Sequence, residues 1–585
     1  MRTRRIKGLA SVVFCAAAWL AACSGDDPAP SSIDADGGSE TPPPPSGDAG
    51  PDTSVTVEGR AKVVVEHYDY ELDVTNRTAL TKVRLRLETS GKCVSLPFRA
   101  QTAESVTFDG LAATDVSTAN GALVACQSAP RGLVAGTTTV LATRVRLPTE
   151  LLTGLQVGFS TTKDVAGGPF TYMLSWVGQC DRFGPCDNAP NVFATYHFAV
   201  DHPAGTRVLC PGTIVAQPNG TRTDCDFTFA GGPTYSTFGL MVGERWLESS
   251  LGAQGNVKLS LFDLDGANLA NSLDPARTRG MLGFLVSKFG AFPYGNELRF
   301  VAGPTVWAGF EHPGNISLAE TLSGTSTEHT AFHEMAHQWA GDQTTLASTK
   351  DFVWKEAMAE YLAFAYESTF SEPRALATAR VWKDASRGLD HHPVPVKELP
   401  VEEFYGSAYG PGPLVLFRQL EVRYSREAVL GALATVLGKP RSLSLQELRA
   451  ALEAKTGAKL ATYFEDWLSG DGKPSWPTVR VTKNTVANGP VAIVLTPKKK
   501  GRGLKFVVRL EGTNAAQKLD VTVDTGIDGA GATTLSANPG FLTTKVTVDP
   551  DAQALVFEEG TPGAFAPDSP PPARPWLAPT HTSTR

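Results

Sequence analysis

The 360 residues that follow Cys225 contain no cysteine; all eight cysteines of this 585-residue chain fall within its first 225 positions. Sulfur-based metal sites and thiol nucleophiles are thereby excluded from the larger part of the protein. Positive charge is also scarce. Fifty-three Lys and Arg stand against 60 Asp and Glu, a formal charge of −7, which offers no electrostatic footing for nucleic acid or an anionic membrane surface. Past the first 22 residues no apolar run reaches the ~20 residues that a membrane-spanning helix needs, and no internal repeat is visible. What is present is a hydrophobic fraction of 42% over a length that suits several packed domains.

The one continuous apolar run, Leu9 to Ala22, follows Arg2, Arg4, Arg5 and Lys7. At 14 residues it is too short to span a bilayer of ~30 Å, so residues 1–22 read as a signal peptide. The run closes in Leu20-Ala21-Ala22-Cys23, which resembles the lipobox of bacterial lipoproteins. That resemblance implies lipidation of Cys23 and an exported protein held to a membrane by its acyl chains. Ser24 after the cysteine favours the outer membrane, with the periplasmic and cell-surface faces both open. Residues 23–54 are Asp, Ser, Gly and Pro with almost no large apolar side chain, the composition of a solvated tether. Losing the leader removes four basic and no acidic residues and takes the charge from −7 to −11. The six remaining cysteines, Cys93, Cys126, Cys180, Cys186, Cys210 and Cys225, read as three disulfides in an exported chain. Six cysteines admit fifteen pairings; pairing of neighbours along the chain is the expectation adopted. No C-x-x-C pair or nearby histidine set supports a metal site among them.

The chain predicts a multidomain α+β protein. Residues 55–247 alternate in short segments such as Ala61–Val65, Tyr70–Val74 and Val83–Leu87, punctuated by Gly, Asn and Pro, the pattern of an N-terminal antiparallel β domain. Residues 248–475 change to helical spacing over Ala276–Phe289, Glu328–Gly341, Lys355–Tyr366, Gly412–Tyr424 and Leu445–Lys455, with a strand over Glu297–Val301. Residues 476–559 return to a period of two and read as a C-terminal β-sandwich. Residues 560–585 are a Pro-rich tail.

Within the helical region stands Ala331-Phe-His-Glu-Met-Ala-His-Gln-Trp339. Residues four apart share a helix face, so His333 and His337 can direct two imidazoles at one ion, as in H-E-x-x-H zinc sites, with Glu334 beside them to reach a water on the metal. Catalytic zinc takes three protein ligands and leaves a position open. After 18 intervening residues, Gln338 to Lys355, comes Glu356, at the start of the next helical pattern. Two imidazoles and a carboxylate thus predict one Zn²⁺ per chain. Glu360, one turn beyond Glu356, reads as an exposed helix charge rather than a partner for a zinc histidine. His329, His391 and His392 read as solvated or structural.

These residues resemble the aminopeptidase N family of gluzincin metallopeptidases, whose H-E-x-x-H, 18 residues, E spacing and H-Q-W run this chain matches at His337-Gln338-Trp339. Trp307-Ala-Gly-Phe-Glu-His-Pro-Gly314 resembles the family's G-x-M-E-N signature, and Tyr409-Gly-Pro-Gly-Pro-Leu-Val-Leu416 its Y-x-x-G segment. Phe289-Gly290, Phe292-Pro293-Tyr294, Tyr463 to Gly470 and Pro185 to Tyr196 match further family stretches, so the resemblance covers roughly residues 55–558. It implies a thermolysin-like, mainly helical catalytic domain and hydrolysis of peptides at the N-terminal bond. Glu334 would be the general base and Tyr409, with Tyr405 as rival hydroxyl, would stabilise the oxyanion. Gly309 and Glu311 would bind substrate, Glu311 through the free α-ammonium. Phe310, His312 and Pro313 depart from the signature around Glu311, and Gly410 and Pro411 depart from it after Tyr409. Gln179 is a candidate for a substrate-binding glutamine. A zinc endopeptidase or other hydrolase on the same scaffold, and a non-catalytic binding protein, are the competing readings.

Overall fold

The structure, a computed structural model, describes residues 59–127, 132–148, 157–217, 220–386, 412–468, 478–485, 491–497, 505–526, 533–554 and 556–558. Cys23, the leader, the segment 23–54, His391, His392, Tyr405, Tyr409 and the Pro-rich tail lie outside the described residues.

The N-terminal region is built on a hairpin of two long strands, Val63–Asp73 and Thr78–Leu87. The sequence suggests two short segments where the structure has the single first strand. A register shift between Val65 and His67 resets the inward positions to Tyr68, Tyr70 and Leu72, and a bulge of this kind interrupts two-residue periodicity without ending the strand. Eight strands form the main sheet, and antiparallel pairing dominates, with one exception. Val63–Asp73 also pairs in parallel with Thr195–Asp201, His67 opposite Thr195. More than 100 residues separate the two, ample for the crossover a parallel pair demands. The expected antiparallel domain is therefore corrected to a predominantly antiparallel one. Tyr68, Tyr70, Tyr196 and Phe198 stack across this seam with centroids 5.2–5.9 Å apart. The disulfides join neighbours along the chain, Cys93–Cys126, Cys180–Cys186 and Cys210–Cys225. A second sheet carries Pro169–Leu174 beside Gly239–Gly243, and the segments next to both run towards the helices described below.

A five-stranded sheet follows, ordered Trp246–Gln254, Val257–Leu264, Glu297–Gly303, Asn315–Ala319 and Gly309–Phe310. Eight helices are described: α1 Pro275–Phe289, α2 Thr325–His337, α3 Phe352–Phe370, α4 Glu372–Ser386, α5 Gly412–Tyr424, α6 Arg426–Val436, α7 Leu445–Thr456 and α8 Ala461–Leu468. Local chemistry sets their ends. Asp274 accepts the Arg277 amide at 2.8 Å and Pro275 opens α1, while Ser444 and Glu447 form a reciprocal capping box on α7, which Gly457 closes in the left-handed region. Helix α3 is apolar almost all round its circumference and is correspondingly buried on nearly every face. It forms the axis of the helical region, with α2, α4 and α5 packed on it.

One continuous apolar cluster runs from the N-terminal sheets into the helices, through Val65, Tyr70, Phe238, Leu261, Met335 and Leu433. After α8 a four-stranded and a three-stranded sheet share a second cluster of Val479, Phe506, Val508, Leu510, Val523 and Val548. Two sheets over one core is the sandwich the period-two segments suggest.

Candidate metal centre

The two histidines stand on the last turn and a half of α2, and Glu356 on the second turn of α3. The intervening residues finish α2 and turn at Gly341. They then add the short strand Thr344–Leu346, paired in parallel with Arg441–Leu443, and the 3₁₀ turn Thr349–Asp351 that leads into α3. Gly341, at φ +145°, permits this turn. A Cβ there would sit 3.0 Å from His337 Nδ1 and 3.2 Å from the Lys355 stem.

His333 Nε2 and His337 Nε2 face each other at 3.1 Å, and Glu356 Oε2 lies 3.2 Å from the first and 3.5 Å from the second. All three donor atoms fall within 4.8 Å of one another. The far nitrogens are fixed. His333 Nδ1 donates to Glu360 Oε2 at 2.7 Å and His337 Nδ1 donates to the Ala340 carbonyl at 3.0 Å. Imidazoles anchored in this way present their remaining nitrogens to a metal in a set tautomer. Two such nitrogens and a carboxylate fit zinc, with one position left for solvent or substrate. Burial and the Lys355 ammonium keep His337 below the ordinary histidine range, in its neutral form. Burial works against a charged His333, but hydrogen bonds to Glu356 and Glu360 outweigh it and push the ring up to about 10.

Glu334 is buried beside the two ligands on α2. Burial, opposed by His333 and reinforced by Glu311 and Glu356, raises its carboxyl to about 8. Gly309 explains how the carboxyl fits: a Cβ at this position would stand 2.5–2.7 Å from the Glu334 side chain. Its place in the signature is thus steric, since any side chain there would push on the candidate base.

Gln338 ties this helix to the Glu311 loop, donating to the Glu311 carbonyl at 2.9 Å and accepting the Gly314 amide at 2.8 Å. His312, buried, donates from Nδ1 to the Ser236 carbonyl at 2.7 Å and stacks on Phe310, so both departures from the signature pack inward. Gln179 is buried and accepts a hydrogen bond from Arg182 at 2.8 Å.

One expectation is corrected. Glu360 is not an exposed charge: it is buried, grips His333, and on its other oxygen meets His329 Nε2 at 2.9 Å. Of the two readings given for His329, solvated or structural, the structure has the second, since its Nδ1 also lies 3.2 Å from Glu367. One residue that sequence reasoning passed over joins the cluster. Lys355, with a fully buried side chain, places its ammonium 2.7 Å from Glu356 Oε1 and 2.8 Å from Glu311 Oε1. Burial disfavours its charge, but the two carboxylates outweigh burial and hold its pKa well above the ordinary lysine value.

Residues 314–398, which carry all three donors, match the Peptidase family M1 domain. The chain is 24% identical over 335 residues to "Probable aminopeptidase 1" of Sulfurisphaera tokodaii, covering 51% of this chain and 40% of that protein. It is 24% identical over 280 residues to the Tricorn protease-interacting factor F2 of Thermoplasma acidophilum, covering 44% and 35%. The chain thus spans well under half the length of these curated relatives. Among solved structures, it superposes on a mutant M1 zinc metallopeptidase of Deinococcus radiodurans bound to a Tyr-Ser-Ala substrate with a TM-score of 0.58, at 22% identity over 71% of this chain and 96% of that one. Legionella pneumophila aminopeptidase A in complex with aspartic acid superposes with a TM-score of 0.66, at 12% identity over 85% and 59%.

Proposed function

We propose that the protein is a zinc-dependent aminopeptidase that releases the first residue of peptides, carried on an exported lipoprotein. The observation that carries the reading is the convergence of His333, His337 and Glu356, each imidazole fixed from behind, with the Glu334 carboxyl beside them. His333, His337 and Glu356 would hold the ion, which when bound supplies Lewis-acid polarisation of a carbonyl and lowers the pKa of a water.

The chain's own residues account for the rest. Glu334, buried on α2 beside the two histidines, takes the proton of the attacking water and returns it to the leaving amine. Glu311, buried at the edge of the cluster, provides a carboxylate for the α-ammonium of the substrate. Tyr409 is the proposed oxyanion donor, on the strength of its sequence signature alone. Peptides are the substrates and the acyl chains on Cys23 the membrane attachment, supported by the lipobox and by the tether composition of residues 23–54.

The test is hydrolysis of a tripeptide by the purified protein, with released amino acids identified by mass. The N-terminal residue is expected first, with activity abolished by a chelator and restored by zinc. Glu334→Ala is expected to retain zinc and lose at least about 10²-fold in turnover. Full hydrolysis by that variant, or cleavage insensitive to metal removal, overturns the reading.

A further inference from the structure

Glu311 is the carboxylate that the proposed function assigns to the α-ammonium of a substrate, and this inference rests on that reading. In this protein the carboxylate already has a cation. Lys355 Nζ lies 2.8 Å from Glu311 Oε1, and the same ammonium lies 2.7 Å from Glu356 Oε1. The arrangement is fixed in place rather than incidental. The lysine side chain is wholly buried, its ammonium lies 5.9 Å from the Trp176 ring and 5.6 Å from that of Phe352, and Gly341 backs its stem. Trp176 and Phe352 brace each other edge to face at 5.1 Å. Trp176 lies two residues past the N-terminal-region strand Pro169–Leu174 and Phe352 opens α3, so two parts of the molecule combine to hold one ammonium beside one carboxylate.

The consequence for recognition follows from the cost of burying charge. A carboxylate buried without a cation is expensive, and a site built on one rejects any substrate that fails to bring a positive charge. With a resident ammonium, Glu311 stays paired whatever the substrate carries. We infer that Lys355 is a specificity-determining residue, a built-in counter-cation that lets the site accept peptide-like amides whose N-terminal position is uncharged as well as those with a free α-ammonium. The chemical class added is neutral-ended amides: acylated peptides, internal peptide bonds and des-amino analogues. Lys355 does not touch the reacting atoms; it acts through Glu311.

The probes that isolate charge from bulk are leucine p-nitroanilide and its des-amino analogue, in which hydrogen replaces the ammonium. Wild-type zinc-loaded protein is expected to discriminate between them by less than about tenfold in kcat/KM, and Lys355→Met, which keeps the buried stem, to widen that ratio by at least about tenfold. Lys355→Arg, which keeps a cation, is expected to hold the ratio near the wild-type value. Melting temperature and zinc content of each variant show whether it is folded and loaded. Should Lys355→Met fail to fold, the wild-type ratio decides alone: discrimination above about tenfold overturns the inference, because a buried carboxylate that demanded the ammonium would produce it. An unchanged ratio in folded Lys355→Met overturns it too. Calorimetry separates this result from failure of the peptidase reading. Leucinamide and its des-amino analogue are titrated into zinc-loaded Glu334→Ala protein, with and without Lys355→Met. A protein that hydrolyses nothing but binds both amides, and binds only leucinamide once Lys355 is replaced, upholds the inference while the peptidase reading falls. Absence of binding by the des-amino compound to the form that retains Lys355 overturns the inference.

Discussion

At the scale of single residues, the pairing of His333 with His337 and the nearness of Glu334 were legible because helical geometry makes them so. Two histidines four apart must share a face, and a carboxylate between them must lie next to both. Their partners were not legible. Glu360 satisfies the same spacing rule as any charge one turn further along a helix, and only the packing of α2 on α3 shows that it is buried against His333. Lys355 escaped for a related reason: lysine before an acid usually signals a solvated helix end, whereas here the apolar character of α3 takes it inside. The partner role of Glu360 has a measurable consequence. Glu360→Gln keeps the size of the side chain but removes the charge that holds His333 Nδ1. Zinc affinity, read by competition with a chromophoric chelator, is expected to fall by about 10–100-fold. Unchanged affinity would show that the ring is positioned by packing alone.

At the scale of elements, the boundaries of α1, α5 and α7 follow from their sequence patterns and, for α1 and α7, from caps readable in the sequence. Helices α4, α6 and α8 went unrecognised. Helix α4 follows α3 after Ser371 alone and α6 follows α5 after Ser425 alone, so two helices in sequence look like one irregular run. The strand Thr533–Ala537 is too short and polar to show a period. What binds these elements together is a chain of buried charge behind the metal ligands. His329 on α2 lies between Glu360 and Glu367 of α3; Glu367 pairs with Arg374 of α4 at 2.9 Å; Arg374 also pairs with Glu328 of α2, and Glu328 with Arg277 of α1 at 2.7 Å. Burial would lower the pKa of His329, but the two glutamates outweigh it and raise the value well above 6.5. A raised folded-state value means that the stabilisation is fully present below the unfolded value near 6.5 and is lost as pH rises through the folded one. Melting temperatures of wild type and His329→Gln are therefore expected to differ most near pH 6 and to converge in alkaline solution. A gap independent of pH would show that His329 stabilises by packing and not by charge.

At the scale of the whole molecule, the site is bordered by loops of the N-terminal region that adjoin the strands Pro169–Leu174 and Gly239–Gly243. Trp176 borders the Lys355 ammonium, the Tyr235 hydroxyl donates to the Gly341 carbonyl, and Ser236 donates to Asp342 at 2.7 Å. Nothing in the alternation of residues 55–247 announces this, because strand periodicity reports which face is inward and not which distant helix it meets. With the proposed leader removed, the chain would carry a net charge of −11, which gives no electrostatic attraction to anionic lipid. Among the described residues no helix is long and apolar enough to cross a membrane. In the proposed function attachment rests on Cys23, whose acyl chains would contribute ~0.8 kcal/mol for each buried methylene. Cys23→Ser is therefore expected to move the protein from the membrane fraction to the soluble fraction after export, with zinc content and peptide hydrolysis unchanged, since no part of the metal cluster depends on the anchor. Fractionation of cells expressing each form, followed by zinc analysis of the released protein, makes the comparison. Retention of the serine variant in washed membranes would place the attachment elsewhere in the chain and remove the physical basis for reading residues 1–54 as leader and tether.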